Sequence, residues 1–358
     1  MEHLLEKQLM KGNEAIGEAA VIAGCRYYFG YPITPQSELI EYMARRLPAV
    51  GGTFLQAESE IAAINMVYGA AGAGARVMTS SSSPGVSLKQ EGISYIAAGE
   101  LPCVIVNIMR GGPGLGGIQP GQADYFQATK GGGHGDYHCI VVAPSSVQEM
   151  TDLTIHAFNL ADQYRNPVMI LGDGALGQMI EPVTFLDIPQ FTADKSWATT
   201  GMGERNKPNS INTLYLEPET LEQVNTKLQH KYQVIEQQEV RWETSYTDDA
   251  DLILVAYGIT SRIATSAVEM ARAAGHKVGL FRPITLWPFP KQALADIVAK
   301  ASAVLTVELS AGQMVEDVNL AIKCSKPVYF HGRTGGMMMS SRDIYEKIVD
   351  ILVAGRGE

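Results

Sequence analysis

Apolar positions in residues 1–187 alternate between helical spacing and short strand-like runs. Leu39, Ile40, Met43 and Leu47 recur on one face of a predicted helix, whereas residues 102–109 are almost wholly apolar. Such a run is typical of a central parallel strand that is covered on both faces. Helices are predicted over residues 13–24, 37–47, 60–71 and 146–160, and strands over 26–31, 76–79, 102–109, 140–143 and 167–171. Repeated strand–helix alternation predicts an α/β domain with a parallel sheet.

The pattern changes near residue 188. Residues 188–250 are polar, and residues 221–242 are rich in Gln, Glu and Lys, so we interpret this segment as a linker that carries one solvated helical arm. Strand–helix alternation then resumes and predicts a second α/β domain over residues 251–358. Its strands are predicted over 252–258, 277–281 and 303–307, and its helices over 261–274, 291–300 and 342–352.

Composition argues against several functional classes. The 358 residues include 28 Lys and Arg against 38 Asp and Glu, a net charge of -10, which disfavours a nucleic-acid surface. Cys25, Cys103, Cys139 and Cys324 have no CxxC spacing, so neither a disulfide framework nor an iron–sulfur cluster is predicted. The sequence has neither a signal-peptide pattern at its start nor an apolar run long enough to cross a bilayer. We therefore expect a cytoplasmic protein without a membrane partner.

Candidate polar side chains lie just before two of the predicted helices. Thr34 lies between Pro32 and Pro35, which stiffen the turn and present its hydroxyl in one direction; the alternative is a plain strand-to-helix turn. Glu58 and Glu60 precede an apolar helix. Each is either a first-turn residue favoured by the helix dipole or a functional acid in a dry pocket.

Arg110 is the strongest candidate for ligand binding. It directly follows the apolar strand 102–109 and precedes the glycine-rich run 111–117, whose backbone can approach a ligand closely. Ligands of open α/β sheets bind at the carboxyl ends of the strands. The serine run 80–83 also follows a strand, and it is either a turn or part of a cofactor pocket beside Arg110.

Three further motifs give weaker evidence for a cofactor or metal site. The glycines of 111–117 do not form the GxGxxG pattern of a nicotinamide site. Asp173 in Gly-Asp-Gly imitates the start of the magnesium–diphosphate motif of thiamine enzymes, but Asn206 and Asn209 fall too late to complete it. His134 and His138 lie in a glycine-rich stretch without a third ligand at metal-site spacing, so we predict a substrate- or partner-facing loop there and no metal site in this chain.

The sequence resembles the α subunit family of 2-oxoacid:ferredoxin oxidoreductases, especially its branched-chain (3-methyl-2-oxobutanoate) and 2-oxoglutarate members. The resemblance covers essentially the whole chain, and it is specific because several motifs occur together. These motifs lie at residues 30–35, 56–63, 79–85, 109–114 and 307–314. The family implies a thiamine diphosphate-fold pyrimidine-binding domain over 1–187, followed after the linker 188–250 by a transketolase C-terminal-like domain over 251–358.

The resemblance also implies roles for single residues. Glu60 matches the acid that hydrogen-bonds the aminopyrimidine ring of thiamine diphosphate, because its spacing to Tyr68 and Gly69 fits the family better than that of Glu58. Thr34 and Arg110 resemble the pair that holds the 2-oxoacid carboxylate. The other predicted cofactor contacts are Tyr31, Pro32, Ser82 and Ser83.

The implied activity is oxidative decarboxylation of a 2-oxoacid to an acyl-coenzyme A, with electrons passed to ferredoxin. Thiamine diphosphate and Mg²⁺ are expected to be shared with a β subunit, and iron–sulfur clusters are expected on other subunits, with γ and ferredoxin-like δ subunits among the candidates. A 2-oxoglutarate substrate would call for a second cation, for which Arg76, Lys89 and Lys130 are candidates. A non-catalytic scaffold subunit is the alternative from another functional class.

Overall fold

The structure is a computed structural model that describes residues 7–185 and 191–354. The predicted boundary between residues 187 and 188 lies outside them. The strands of the first part are β1 Gln8–Lys11, β2 Tyr27–Gly30, β3 Thr53–Gln56, β4 Val77–Ser81, β5 Cys103–Met109, β6 Ile140–Val142, β7 Pro167–Asp173 and β8 Ile180–Val183. Its helices are α1 Gly12–Ile22, α2 Ser37–Ala49, α3 Glu60–Gly72, α4 Pro84–Ala98, α5 Tyr125–Thr129, α6 Val147–Tyr164 and α7 Gly174–Gln178.

The remaining elements belong to the second part. Its helices are α8 Pro218–Gln238, α9 Gly258–Ala273, α10 Lys291–Val298, α11 Met314–Ala321 and α12 Ser341–Ala354. Its strands are β9 Trp242–Ser245, β10 Leu252–Val255, β11 Val278–Pro283, β12 Thr285–Trp287, β13 Ala303–Glu308 and β14 Val328–Gly332. Both predicted α/β regions are therefore observed.

A seven-stranded sheet in the order β12-β6-β7-β5-β4-β2-β3 forms the first core. Its strands pair in parallel from β6 to β3, as the alternating pattern predicted. Every residue of β5 and β7 is buried, because helices cover both faces of a parallel sheet. The carboxyl ends of β2, β4, β5 and β7 consequently meet at one edge.

The second sheet has the order β14-β13-β10-β11-β9. Its strands β10, β11, β13 and β14 are parallel, and β9 pairs antiparallel with β11 at the edge. One strand crosses between the two parts: β12 follows β11 in sequence but pairs antiparallel with β6 of the first sheet. The two sheets are thus joined by backbone hydrogen bonds as well as by side chains.

Two predicted elements differ from the observed ones. The serine run 80–83 is not a plain turn, because Pro84 and Gly85 directly after it open the 15-residue helix α4. Proline is well accommodated in the first turn of a helix, where its missing N–H has no partner to lose. The helical arm spans Pro218–Gln238, and it is not purely solvated, since it buries Leu228, Tyr232 and Ile235.

The N-terminus of α6 carries a modified capping box. Ser146 accepts a hydrogen bond from the Glu149 amide at 3.1 Å, as a helix N-cap should. The Glu149 carboxylate binds the Ser145 amide and also receives two guanidinium hydrogen bonds from Arg282 at 2.6 and 2.8 Å. Glu149, in the first turn of α6, therefore binds Arg282 from β11 of the second part.

Gln122 forms the densest connection between the two parts. It is fully buried, and its side-chain amide donates to Tyr257 O at 2.9 Å while its side-chain oxygen accepts from Thr260 Oγ1 and Leu309 N, both at 3.0 Å. Its backbone N–H donates to Leu309 O and its carbonyl accepts from Tyr257 Oη. The loop that follows β5 is therefore fixed by residues of the second part of the chain, which lie just after β10 and β13 and in α9.

No helix in the described ranges combines the length and apolarity that a membrane crossing requires.

We expect Gln122→Leu to destabilise the chain by about 2–5 kcal/mol, because it leaves the buried Leu309 amide without its acceptor and removes the hydrogen bonds of the Gln122 side chain to Tyr257 O and Thr260 Oγ1. Gln292→Leu is the matched control, since Gln292 is exposed and its side chain donates to Asp296, and it should change stability by less than about 0.5 kcal/mol. Urea unfolding of both variants measures the difference. Equal midpoints for Gln122→Leu and the parent chain would contradict this account.

Candidate active site

Glu60 lies in the first turn of α3, at the carboxyl edge of the first sheet. Ser59 caps this helix by accepting a hydrogen bond from Ala62 N at 3.1 Å. Glu60 is 7% exposed, whereas Glu58 is exposed. No described residue donates a hydrogen bond to the Glu60 carboxylate. The structure thus separates the two candidate acids, and only Glu60 is held in a largely dry environment.

The first turn of α4 packs directly against the Glu60 carboxylate. A Cβ atom added to Gly85 would lie 2.6 Å from Glu60 Oε1 and 2.1 Å from Ser81 Oγ. Only a glycine leaves room for both oxygens, since real Cβ atoms do not approach so closely. The Ser81 hydroxyl is buried and has no hydrogen-bond partner among the described residues. A carboxylate and a free hydroxyl therefore face the same small space.

The serines that follow β4 have different surroundings. The Ser82 hydroxyl is fully buried and lacks a partner in the described chain. The Ser83 hydroxyl donates to Asp124 Oδ2 at 2.7 Å and accepts from the Arg110 amide at 3.0 Å. Ser83 is therefore engaged within the protein, where it positions the backbone of Arg110, while Ser81 and Ser82 retain unused hydrogen-bonding capacity.

Arg110 and Thr34 are brought together from β5 and from the turn after β2. Arg110 is 7% exposed, and its guanidinium donates to the carbonyl oxygens of Thr34 at 2.9 Å and Leu115 at 2.7 Å. Its Nε is buried without a described partner. Arg110 contacts the backbone carbonyl of Thr34 and not its side chain. Thr34, Tyr31 and Pro32 are exposed. The guanidinium is oriented by two carbonyls and keeps one buried donor unused.

Asp124 and Asn107 are site residues that the sequence analysis missed. Asn107 Nδ2 donates to Asp124 Oδ2 at 2.9 Å, and Asn107 Oδ1 accepts from the Ser83 amide. Burial raises the pKa of the Asp124 carboxyl, while the hydrogen bonds from Ser83 and Asn107 and the charge of Arg110 oppose that rise. A signal was present, because Asn107 is a polar residue within an otherwise apolar strand.

The glycine-rich loop after Arg110 needs its glycines for two reasons. Gly114 and Gly116 have φ values of 70° and 61°, in the left-handed region that favours glycine. A Cβ on Gly116 would also lie 1.9 Å from Gly111 O. The loop borders a cavity of about 780 Å³ between the two parts of the chain. Leu309, Ser310, Ala311 and Gln313 of the second part line its other side.

The weaker motifs have structural explanations. Asp173 Oδ1 accepts from the amides of Ala175 and Leu176 as the N-cap of α7, and burial raises the pKa of Asp173 to about 6. His138 stacks on Trp287 with ring centroids 4.4 Å apart, and burial lowers its pKa. Within the described residues, no group of three or more His, Cys, Asp and Glu side chains could hold a metal ion.

The three cations considered for a second substrate carboxylate are engaged elsewhere. Arg76 precedes β4, at the opposite end from the candidate site, and pairs with Asp162 at 2.7 Å. Lys130 pairs with Asp317 of the second part. Lys89 is fully buried and donates to Thr79 Oγ1. Each of these three cations thus already has a partner within the described chain.

The geometry suits a carboxylate-bearing substrate and a cofactor with hydrogen-bonding groups. Arg110 contributes a buried, oriented guanidinium with a free donor, which is the group that binds carboxylates best. Glu60, Ser81 and Ser82 contribute an acid and two hydroxyls without partners in the described chain. These orphaned polar groups fit a polar ring such as an aminopyrimidine, because each would otherwise stay unsatisfied.

Comparison with solved structures shows the same architecture. A 2-oxoglutarate:ferredoxin oxidoreductase from Magnetococcus marinus, solved with 2-oxoglutarate, coenzyme A and succinyl-CoA bound, superposes with a TM-score of 0.87 at 28% identity. The match covers 97% of this chain and 65% of that one. A split gene transketolase superposes with a TM-score of 0.61 at 15% identity, over 96% of this chain and 98% of that one. The second likeness shows the fold alone.

Comparison of sequences gives the family. The chain is 54% identical to ketoisovalerate oxidoreductase subunit VorB of Methanothermobacter marburgensis, over 96% of this chain and 97% of that protein. It is 36% identical to 2-oxoglutarate synthase subunit KorA of Methanocaldococcus jannaschii, over 96% of this chain and 100% of that protein.

Two family descriptions match consecutive regions of the chain. Residues 18–247 match "Pyruvate flavodoxin/ferredoxin oxidoreductase, thiamine diP-bdg", and residues 250–344 match "Pyruvate:ferredoxin oxidoreductase core domain II". The chain therefore belongs to the pyruvate flavodoxin/ferredoxin oxidoreductase family.

Proposed function

We propose that this chain is the subunit of a thiamine diphosphate-dependent 2-oxoacid:ferredoxin oxidoreductase that activates the cofactor and holds the substrate carboxylate. The observation that carries the proposal is the buried Glu60 carboxylate at the carboxyl edge of the first sheet, the same edge that carries the oriented guanidinium of Arg110. When bound, thiamine diphosphate supplies a carbon nucleophile and an electron sink for decarboxylation.

Glu60 is the proposed acid. Its carboxyl group would exchange a proton with a ring nitrogen of the aminopyrimidine, which is the kind of step that a positioned acid in a low-dielectric site accelerates. Ser81 and Ser82, whose buried hydroxyls lack described partners, are proposed to satisfy further polar groups of the cofactor. Tyr31 and Pro32 are exposed at the same edge, and we propose them as contacts shared between the cofactor and a partner subunit.

Arg110 is the proposed anchor of the 2-oxoacid carboxylate, with Thr34 beside it. The carbonyls of Thr34 and Leu115 hold the guanidinium in place, so little side-chain entropy is lost when a carboxylate binds. The Ser83 hydroxyl accepts a hydrogen bond from the Arg110 amide and donates one to Asp124, so the backbone of Arg110 is also held in place. A substrate held in one orientation reacts faster than one that tumbles in its site.

The proposed substrate is 3-methyl-2-oxobutanoate. Ketoisovalerate is the substrate named for the 54% identical relative, whereas the relatives named for 2-oxoglutarate are 36% identical or less. The engagement of Arg76, Lys89 and Lys130 elsewhere also favours a monocarboxylate, because 2-oxoglutarate would present a second carboxylate to the pocket.

The rest of the active centre is proposed to lie on partner subunits. The relatives are each named as a subunit, and Asp173 is engaged in capping α7. We therefore place the diphosphate and Mg²⁺ contacts on a β subunit, and the iron–sulfur clusters on that or on γ and δ subunits. Coenzyme A is the proposed acyl acceptor and ferredoxin the electron acceptor.

The substrate assignment predicts a preference among 2-oxoacids. The co-expressed complex should reduce a viologen dye with 3-methyl-2-oxobutanoate at a kcat/KM at least about tenfold above that with 2-oxoglutarate, since an unpaired second carboxylate would be desolvated in the pocket. Pyruvate serves as the comparison for side-chain size. Equal or better use of 2-oxoglutarate would refute the assignment.

Glu60→Gln should lower the rate of the assembled complex by about 10²- to 10⁴-fold, because glutamine keeps the shape but cannot exchange a proton. Glu58→Gln is the matched control, since Glu58 is exposed two residues away, and it should retain nearly full activity. Steady-state dye reduction measures both variants. The scaffold alternative would be supported if Glu60→Gln assembled normally and kept the parental rate.

Arg110→Lys should raise the KM for the 2-oxoacid by about 10- to 100-fold, because lysine keeps the charge but loses the oriented fork, and a hydrogen bond to a charged group contributes about 1.5–3 kcal/mol. Arg262→Lys is the control, since Arg262 is half-exposed and pairs with Glu181 at 2.6 Å. A KM for Arg110→Lys equal to that of the control would show that Arg110 does not hold the substrate.

A further inference from the structure

The loop between β14 and α12, residues 333–340, packs against the glycine-rich loop that follows Arg110. A Cβ atom added to Gly111 would lie 3.0 Å from Gly336 N, and one added to Gly336 would lie 2.3 Å from Gln119 Cβ. Real Cβ atoms do not approach other atoms as closely as 2.3 Å. The two loops are therefore in contact through their backbones, at a spacing that an alanine at position 336 would not allow.

Gly111 and Gln119 form the base of the glycine-rich loop. Gly111 N donates a hydrogen bond to Gln119 O at 2.8 Å, and Arg110 and Pro120 form an isolated β-bridge beside it. Gly111 directly follows Arg110 in the sequence. The contact with Gly336 thus lies at the point where the loop leaves the proposed substrate anchor.

The base of this loop has little free space in which to absorb a displacement. A Cβ atom added to Gly116 would lie 1.9 Å from Gly111 O, and one added to Gly121 would lie 3.1 Å from Arg110 O. Close packing of backbone atoms transmits strain because the atoms cannot move independently. A shift of Gln119 is therefore passed on to Gly111 and Arg110.

The loop 333–340 is itself held by the second part of the chain. Arg333 N donates to Glu308 O at 3.2 Å, directly after the pairing of β14 with β13. Near the other end of the loop, the side chain of Met339 is 3% exposed. Gly336 is consequently presented by a segment that is fixed on both sides.

We propose that Gly336 is a positioning residue for Arg110, because its lack of a side chain lets the second part of the chain support the loop that follows the guanidinium-bearing residue. The inference rests on the proposed role of Arg110 as the anchor of the 2-oxoacid carboxylate. A misplacement of about 1 Å in a site can cost about 10²-fold in activity. The second part of the chain thus contributes to substrate binding without touching the substrate.

The test compares Gly336→Ala with Gly335→Ala in the co-expressed complex. Both variants place an alanine at a positive φ, 87° and 66° respectively, so backbone strain is common to both. They differ in their contacts: the new methyl group meets Gln119 at position 336, whereas at position 335 it has no atom of the described chain within 4 Å beyond its chain neighbours.

Gly336→Ala should raise the KM for the best 2-oxoacid substrate of the complex by about tenfold and change kcat by less than about twofold, because weaker carboxylate binding acts on KM. Gly335→Ala should keep the KM within about twofold of the parent value. Steady-state dye reduction measures both constants. Equal KM values for the two variants, in a complex whose KM depends on Arg110, would overturn the positioning role.

Hydrogen exchange of residues 110–121, followed by mass spectrometry of the same complexes, measures the loop itself. Gly336→Ala should speed exchange in this segment by about tenfold, because the hydrogen bond from Gly111 N to Gln119 O is displaced. Gly335→Ala should leave the exchange rate unchanged. Equal exchange in the two variants would refute the inference at any KM.

Gln119→Gly provides a rescue experiment. It removes the Cβ and Cγ atoms that the methyl group of Gly336→Ala would meet at 2.3 and 3.3 Å, and it leaves Gln119 Cα at 3.4 Å, which is an ordinary contact. Gly336→Ala should therefore raise the KM in the parent background and not in the Gln119→Gly background. The same rise in both backgrounds would show that the effect does not act through Gln119, contrary to the inference.

The rescue also covers a failure of Gly336→Ala to assemble. Assembly of the double variant with the KM of Gln119→Gly alone would then support the contact between the two loops. A double variant that also fails to assemble would count against it.

The measurements separate this inference from the proposed function. Faster exchange in Gly336→Ala with an unchanged KM overturns the positioning role if Arg110→Lys raises the KM. If Arg110→Lys also leaves the KM unchanged, the proposed anchor role of Arg110 fails, while the support of the loop by Gly336 stands.

Discussion

The hydrogen bonding of Gln122 to the second part of the chain is the constraint on which the candidate site depends. The loop between β5 and α5 carries Arg110 and a run of glycines with little intrinsic preference for one conformation. Gln122 fixes the far end of that loop through its backbone and its side chain, with Tyr257, Thr260 and Leu309 as partners. The guanidinium can be oriented only because the loop that bears it is held at both ends, by β5 and by the second part of the chain.

Electrostatics at the sheet edge follow from the same arrangement. Glu60, Lys89 and Arg110 are each largely or fully buried, yet none forms a close ion pair with another. Arg110 is held by carbonyl dipoles, Lys89 by one hydroxyl, and Glu60 by no described donor. Buried charges that are incompletely satisfied store free energy which a bound ligand can release. The edge is therefore prepared for a charged or strongly polar ligand, at some cost in stability of the free chain.

Much of the fold and part of the site could be predicted from local sequence patterns. The apolar strands β5 and β7, the helix α3 and the alternation in residues 251–358 were all predicted, because their periodicity is strong. Arg110 was singled out because it follows an apolar strand, and Glu60 because its spacing matches the family that the sequence resembles; the structure buries both. The helix α4 was missed because a serine run followed by Pro-Gly has the composition of a turn. The roles of Asp124 and Asn107 were missed because they depend on Ser83, 24 to 41 residues away in sequence.

The sequence by itself determined the two α/β regions, the family and the residues that carry charge at the ends of buried strands. The tertiary structure decided how those charges are used: which of Glu58 and Glu60 is buried, that Arg110 binds the carbonyl of Thr34 and not its hydroxyl, and that Asp173 caps a helix. It also decided that β12 joins the first sheet although it lies in the second part of the chain. The physical reason is that burial, hydrogen bonding and pKa depend on neighbours distant in sequence, whereas periodicity is local.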